Sequence, residues 1–233
     1  MFVPLYDHNP LEHIPRPYVN WTIILLTSLI WLVFQSDFVV PAYNASILGL
    51  GLSPVYLFDG LPPPPDMSLV PEWATLVTYA LVHGDLWHLL GNMIFLWVFG
   101  DNVEDALGHV RYAAFYALTA AAGGLAHAWM LADSDMPLVG ASGAVAGVIG
   151  AYLILHPRTK LWILVLGRIP LRLTARWPLL AWVAIQFGSI LLQEEGETAW
   201  WAHVGGLAAG IILVFVMRRP GVALFDRDLP VGG

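Results

Sequence analysis

Ser142 and His203 are the residues of this 233-residue chain best suited to do chemistry together. A serine hydroxyl is a weak nucleophile until a neighbouring base takes its proton, and imidazole titrates in the range that lets it do so. Ser142 stands in Gly140-Ala141-Ser142-Gly143, at the head of a glycine-punctuated apolar stretch. His203 stands near the start of another, Ala202-His203-Val204-Gly205-Gly206. His88 and Asn92 are four apart, hence on one helical face, and both can donate hydrogen bonds to an oxyanion. If Ser142 opens a helix, its backbone N–H and the positive end of the helix dipole favour the same negative charge. Together these groups suit acyl transfer.

The elements that must position them follow from a scarcity of charge. Hydrophobic residues make up 58% of the chain and charged residues only 12%, about half of the roughly 25% usual in soluble domains. Ten Lys and Arg against seventeen Asp and Glu leave a net charge of −7. That excludes a nucleic-acid partner, which needs a cationic face to displace counterions. The absence of cysteine excludes a disulfide framework, a thiol nucleophile and a thiolate metal site. Intrinsic disorder is excluded by the same apolar content. What remains is a membrane protein.

Uncharged runs locate its spans, at residues 17–36, 86–100, 112–132, 136–157, 177–193 and 198–217. A helix of about 20 residues crosses a hydrocarbon core of about 30 Å. The short second run continues inward past Asp101, and Asp85 separates it from a further uncharged stretch, 75–84. The predicted fold is therefore all-α, a polytopic bundle of six transmembrane helices. Arg16, Arg111, Arg158, Lys160, Arg168, Arg172, Arg176, Arg218, Arg219 and Arg227 then all fall on one side, and no Lys or Arg falls on the other. By the positive-inside rule both termini are cytoplasmic. The expected division is a cytoplasmic N-terminal segment (1–16), a six-span membrane domain (17–219) and a cytoplasmic tail (220–233), unstructured around Asp226, Asp228 and Gly232-Gly233. No signal peptide is expected, since Asp7 and Glu12 precede the first apolar run. The long first outer loop is apolar over 47–58 and then stiffened by Pro62 to Pro65, which suits the membrane interface.

With that topology the second, fourth and sixth spans all enter from the outer face. His88, Asn92, Ser142 and His203 then sit at similar depth, where an unpartnered polar group costs about 2 kcal/mol or more. Gly143, Gly147 and Gly150 share one helical face, as do His203, Gly206 and Gly210. Small residues let membrane helices approach closely. Packing of these two stripes brings Ser142 to His203.

At these residues the chain resembles the rhomboid family of intramembrane serine proteases. The likeness runs from about Trp73 to Gly210. It comprises His83-x-x-x-x-His88-x-x-x-Asn92, Phe99-Gly100-Asp101-Asn102-Val103-Glu104, Gly140-Ala141-Ser142-Gly143 and Ala202-His203-Val204-Gly205-Gly206-x-x-x-Gly210. The resemblance implies a Ser142–His203 dyad without an acid, an oxyanion site that includes His88 and Asn92, and no cofactor or metal. It implies a transmembrane helix of another protein as substrate, the lipid bilayer as surroundings, a cell-membrane location and a mobile fifth helix that admits the substrate. Two positions depart from the family pattern. Trp73-Ala74 stands where many members have Trp-Arg, and Ala146 stands where some have an aromatic that packs on the histidine.

Other polar and small residues have plainer readings. His83 reads as a loop anchor, His127 as either facing the same cavity or bonding a neighbouring helix. Gly140, Gly143, Gly206 and Gly210 read as packing positions. Glu104 reads as a cap or a partner of Arg111 or a nearby loop, and Trp182 and Phe187 as lipid-facing or core residues rather than a gate. Competing chemistries fail on particular residues. His83 and His88 lack the His-Glu-x-x-His spacing of a zinc protease, no span interior contains even one aspartate, and Ala144 breaks the G-x-S-x-G elbow. A transporter would need acidic relays at mid-membrane. A non-catalytic relative that binds or escorts membrane clients is the competing class, discriminated by the dyad that this chain carries.

Overall fold

A computed structural model of the chain describes residues 2–59, 63–64, 68–192 and 199–226. Pro62, Pro65, residues 193–198, Arg227, Asp228 and Gly232-Gly233 lie outside them. The uncharged runs become helices. They are α1 (Tyr18–Ile30, extended by a π-helical turn Trp31–Gln35), α5 (Leu86–Phe95), α7 (His109–Met130), α8 (Ser142–Leu155), α9 (Arg176–Leu191) and α10 (Trp200–Met217). Past Phe95, α5 continues without a break through a π-helical turn, Leu96–Gly100, into α6 (Asp101–Leu107). The first outer loop folds into α2 (Tyr43–Leu50), α3 (Pro54–Asp59) and α4 (Glu72–Thr78), the last prolonged by a 3₁₀ turn, Tyr79–Leu81.

Two of these helices, over Tyr18–Gln35 and Trp200–Met217, are long and apolar enough to cross a membrane by length and composition. Only 17% of the first is buried within the molecule, which is not how a soluble core helix behaves. Large apolar side chains lie exposed on several helices, among them Leu25 and Leu29 on α1, Leu118 and Leu125 on α7, Phe187 on α9 and Ile212 on α10. Water would not tolerate so extensive an apolar face.

α8 sits at the centre. Most of its side chains are buried, and α7 and α10 pack closely on it. A methyl group added at Gly206 would overlap the Gly143 carbonyl, and one at Gly210 would overlap that of Gly147. These glycines let the α8 and α10 backbones touch, as the stripes predict. The Cβ directions of Gly143 and Gly147 themselves aim at Tyr79 Oη and at Thr119 of α7, so that α8 stripe serves two neighbours.

The all-α expectation needs one correction. A three-stranded antiparallel sheet, β1 (Phe2–Asp7), β2 (Lys160–Val165) and β3 (Ile169–Thr174), joins the N-terminal segment to the basic loop between α8 and α9. In β2, Leu161 and Ile163 are buried while Trp162 between them is partly exposed, the period-two pattern of a half-buried strand. A tight turn with positive φ at Leu166 and Gly167 joins β2 to β3.

The expected unstructured tail is corrected as well. Over residues 220–226 the chain packs back on the helix ends. Asp226 is buried, accepts a hydrogen bond from Arg158 N (2.6 Å) and lies 3.2 Å from His156 Nδ1. Nor does the fourth uncharged run become one long helix. It contains Pro137 and a Gly140 held at φ +109°, so helix begins only at Ser142.

Candidate active site

The segment entering α8 is pinned before it reaches Ser142. Leu52 and Leu138 exchange two backbone hydrogen bonds (3.0 and 2.8 Å), Gly140 N donates to Tyr79 O (3.0 Å), and Ala141 N donates to His83 Nε2 (3.2 Å). At Gly140 the left-handed backbone suits glycine, and the His88 ring occupies the space a Cβ would need. Ser142 is therefore presented as the first residue of α8, where backbone N–H groups have no acceptor within the helix.

His203 lies on the first turn of α10 and is 8% exposed. Its Nε2 is 2.8 Å from Ser142 Oγ. The close backbone contact one turn further on, between Gly206 and Gly143, sets that reach. On its other side, His203 Nδ1 is 2.7 Å from Gln186 Oε1 of α9. Trp182 of α9 lies 5.8 Å from the ring, tilted by 36°, and Trp200 meets it edge-on at 6.1 Å.

His88 and Asn92 lie one turn apart on α5, whose N-terminus Asp85 caps by accepting a bond from His88 N (2.9 Å). The His88 ring lies against Gly140, two residues before Ser142, and 5.1 Å from the His83 ring. Asn92 is buried, and its Nδ2 finds no partner among the described residues. That is a costly arrangement unless the donor serves something else. His83 is an anchor in geometry. Besides the bond from Ala141, its backbone N–H and C=O exchange hydrogen bonds with the Gln35 amide at the end of α1 (3.0 Å each). His127 of α7 is buried with Nδ1 unpartnered among the described residues, and both it and His88 are near enough to act on His203 electrostatically.

Away from the site, Glu104 is a cap, with partners other than Arg111. Its carboxylate accepts from Val19 N (3.0 Å) and Asn20 N (2.7 Å) at the start of α1 and faces His109 Nδ1 (2.5 Å). Arg111 instead donates to the carbonyls of Met217 and Arg218. Phe187 is 47% exposed and faces outward as expected, whereas Trp182 lies against His203. Gln186 went unremarked in the sequence. The signal was there, since a polar side chain inside an uncharged run should have a partner.

A family model, the Rhomboid domain, matches residues 70–220. The chain belongs to the rhomboid family. Rhomboids are polytopic helical membrane proteins, and this one is mostly helical. The chain is 31% identical to "Rhomboid protein 1, mitochondrial" of Saccharomyces cerevisiae, over 68% of its own length and 46% of the yeast protein. It is 26% identical to "Rhomboid-like protein 11, chloroplastic" of Arabidopsis thaliana, over 77% of its length and 61% of the plant protein. With "Rhomboid protease GluP" of Bacillus subtilis the identity is 27%, over 68% of this chain and 29% of the relative. The chain thus spans about half the length of the yeast rhomboid it matches.

Proposed function

We propose that this rhomboid is an intramembrane serine endopeptidase that cleaves transmembrane segments of other membrane proteins near the outer face. The observation that carries this reading is the 2.8 Å contact between Ser142 Oγ and His203 Nε2 in a chain of this family. Ser142 Oγ attacks the scissile carbonyl as its proton passes to His203 Nε2, giving a tetrahedral oxyanion. The Ser142 N–H, the His88 ring and the Asn92 amide donate to that oxyanion. His203 then returns the proton to the leaving amine, and the acyl-enzyme forms. Water, deprotonated by the same imidazole, releases the second product and restores the serine.

In this reading six helices cross the bilayer: α1, α5 with α6, α7, α8, α9 and α10. The sheet and both termini lie on the cytoplasmic side of the cell membrane, in keeping with the ten basic residues gathered there. The functional division is a cytoplasmic segment (1–16), the membrane domain (17–219) and a cytoplasmic tail (220–233). Water reaches the site from the outer end, where Ser142 is only partly buried. The substrate must offer extended backbone there, which favours a helix weakened by Gly or Pro.

Cleavage of a reporter bearing a Gly-containing transmembrane segment tests the reading. Purified wild type in liposomes is expected to cut it, and Ser142→Ala and His203→Ala to leave it intact. Equal cleavage by wild type and Ser142→Ala, or none by any of them, returns the chain to the non-catalytic class.

A further inference from the structure

Ala146 leaves His203 without an aromatic neighbour from α8, so something else must hold the ring. A lone Ser–His pair works only if Nε2, the nitrogen facing Ser142, carries the lone pair. That requires the neutral ring's proton to sit on Nδ1. In solution both tautomers are populated, and a fixed acceptor beside Nδ1 selects one.

Gln186 supplies that acceptor, and its own amide orientation is determined. It is 3% exposed and belongs to α9. Its Nε2 donates to the Trp182 carbonyl one turn earlier (3.0 Å), and its Oε1 lies 2.7 Å from His203 Nδ1. The flipped amide would set two oxygens against each other at Trp182, so that carbonyl fixes Oε1 toward His203. With Oε1 facing Nδ1, the proton lies on Nδ1 and the lone pair on Nε2, 2.8 Å from Ser142 Oγ. The Trp182 ring on the same α9 face restricts tilting of the imidazole. Every polar atom in this chain of contacts then has a complementary neighbour.

We infer that Gln186 is the positioning residue of the Ser142–His203 pair, holding His203 in the Nδ1–H tautomer in place of a carboxylate. The inference rests on the protease reading for its effect on rate, but not for the tautomer itself. The titratable groups facing the ring are His88 from α5 and His127 from α7, and no carboxylate among the described residues reaches it. A neutral amide fixes the tautomer without the full imidazolium stabilisation that a carboxylate would add.

Two measurements on the full-length protein test this. In detergent, with ¹⁵N-labelled histidine, the His203 signal (assigned by its loss in His203→Gln) is expected to show protonated Nδ1 and bare Nε2. In Gln186→Met it should move to a mixture of the two tautomers. A wild-type ring protonated on Nε2, or an unchanged signal in Gln186→Met, overturns the inference whether or not the protein cleaves anything. In the reporter assay Gln186→Met should lose kcat on the order of tenfold, the worth of one buried hydrogen bond, with KM unchanged. Gln186→Glu restores an acceptor, so it should recover kcat relative to Gln186→Met and move the acid limb of kcat/KM to higher pH, because an anion favours imidazolium. Wild-type kcat in Gln186→Met, or a Gln186→Glu variant as slow as Gln186→Met with an unshifted limb, overturns it. No cleavage by wild type, with the tautomer as expected, overturns the protease reading alone.

Discussion

Asn92 and Glu104 show how differently two buried polar residues on one continuous helix can be used. Glu104 is saturated, since its carboxylate takes two backbone N–H groups at the start of α1 as well as His109. Glu104→Ala should therefore cost about 1–3 kcal/mol by stranding those donors, read as a lower unfolding temperature in detergent. Cleavage per folded molecule should be retained. Asn92 is the converse, a buried amide whose Nδ2 has no partner among the described residues. If it donates to the oxyanion, Asn92→Ala should lower kcat by roughly 10²-fold, the usual worth of one such donor. Its KM and unfolding temperature should change little. A fall in stability with no fall in kcat would mark Asn92 as structural.

Helix packing decides whether Ser142 and His203 meet at all. The α8 and α10 backbones approach at Gly143–Gly206 and Gly147–Gly210 with no room for a methyl group. Gly206→Val should wedge the helices apart, at about 1–3 kcal/mol or more for overpacking, and break the serine–histidine contact. Cleavage should then fall far more than stability. Gly188 on α9 offers the contrast, because nothing lies within 4 Å of a Cβ built there. Gly188→Ala should leave cleavage intact and raise stability by about 0.5–1 kcal/mol through helix propensity. The helices themselves were legible in the sequence, since an uncharged run of this length has few alternatives. The start of α8 was not, because Met136 to Ala141 is as uncharged as the helix after it. Only the pinning by Leu52, Tyr79 and His83 makes that segment extended.

At the scale of the whole molecule, the end bearing the sheet is a folded assembly. Asp7 on β1 accepts hydrogen bonds from Tyr152 Oη (2.7 Å) and Asn102 Nδ2 (3.0 Å), joining the strand to α8 and α6. Asp105 of α6 meanwhile accepts from the backbone of Glu12, His13 and Ile14. Burial pushes the Asp7 carboxyl up to about 6, with Tyr152 and His156 opposing the rise. The native state thus binds this proton more tightly than the unfolded chain does. Asp7 contributes full stability below the ordinary carboxylate range, and the contribution fades as pH climbs toward and through about 6. Thermal unfolding followed from pH 4 to 7 should show that decline, and Asp7→Asn should make it shallower. An unchanged slope in Asp7→Asn would assign the titration elsewhere.

By itself the sequence determined where most of the helices form, because hydropathy along the chain is a local property. The Ser142–His203 pairing was also foreseeable, because two glycine stripes can satisfy close packing against one another. Only the tertiary structure decided the rest. The β1–β2–β3 sheet joins strands more than 150 residues apart in the sequence, and the short alternation of β2 is hidden among basic residues that read as a loop. Asn102 and Asp105 found partners in the N-terminal segment, Glu104 at the start of α1, and Gln186 found His203. Hydrogen bonds are directional and short, so which donor meets which acceptor depends on how the helices cross, and that is set by the packing of all of them together.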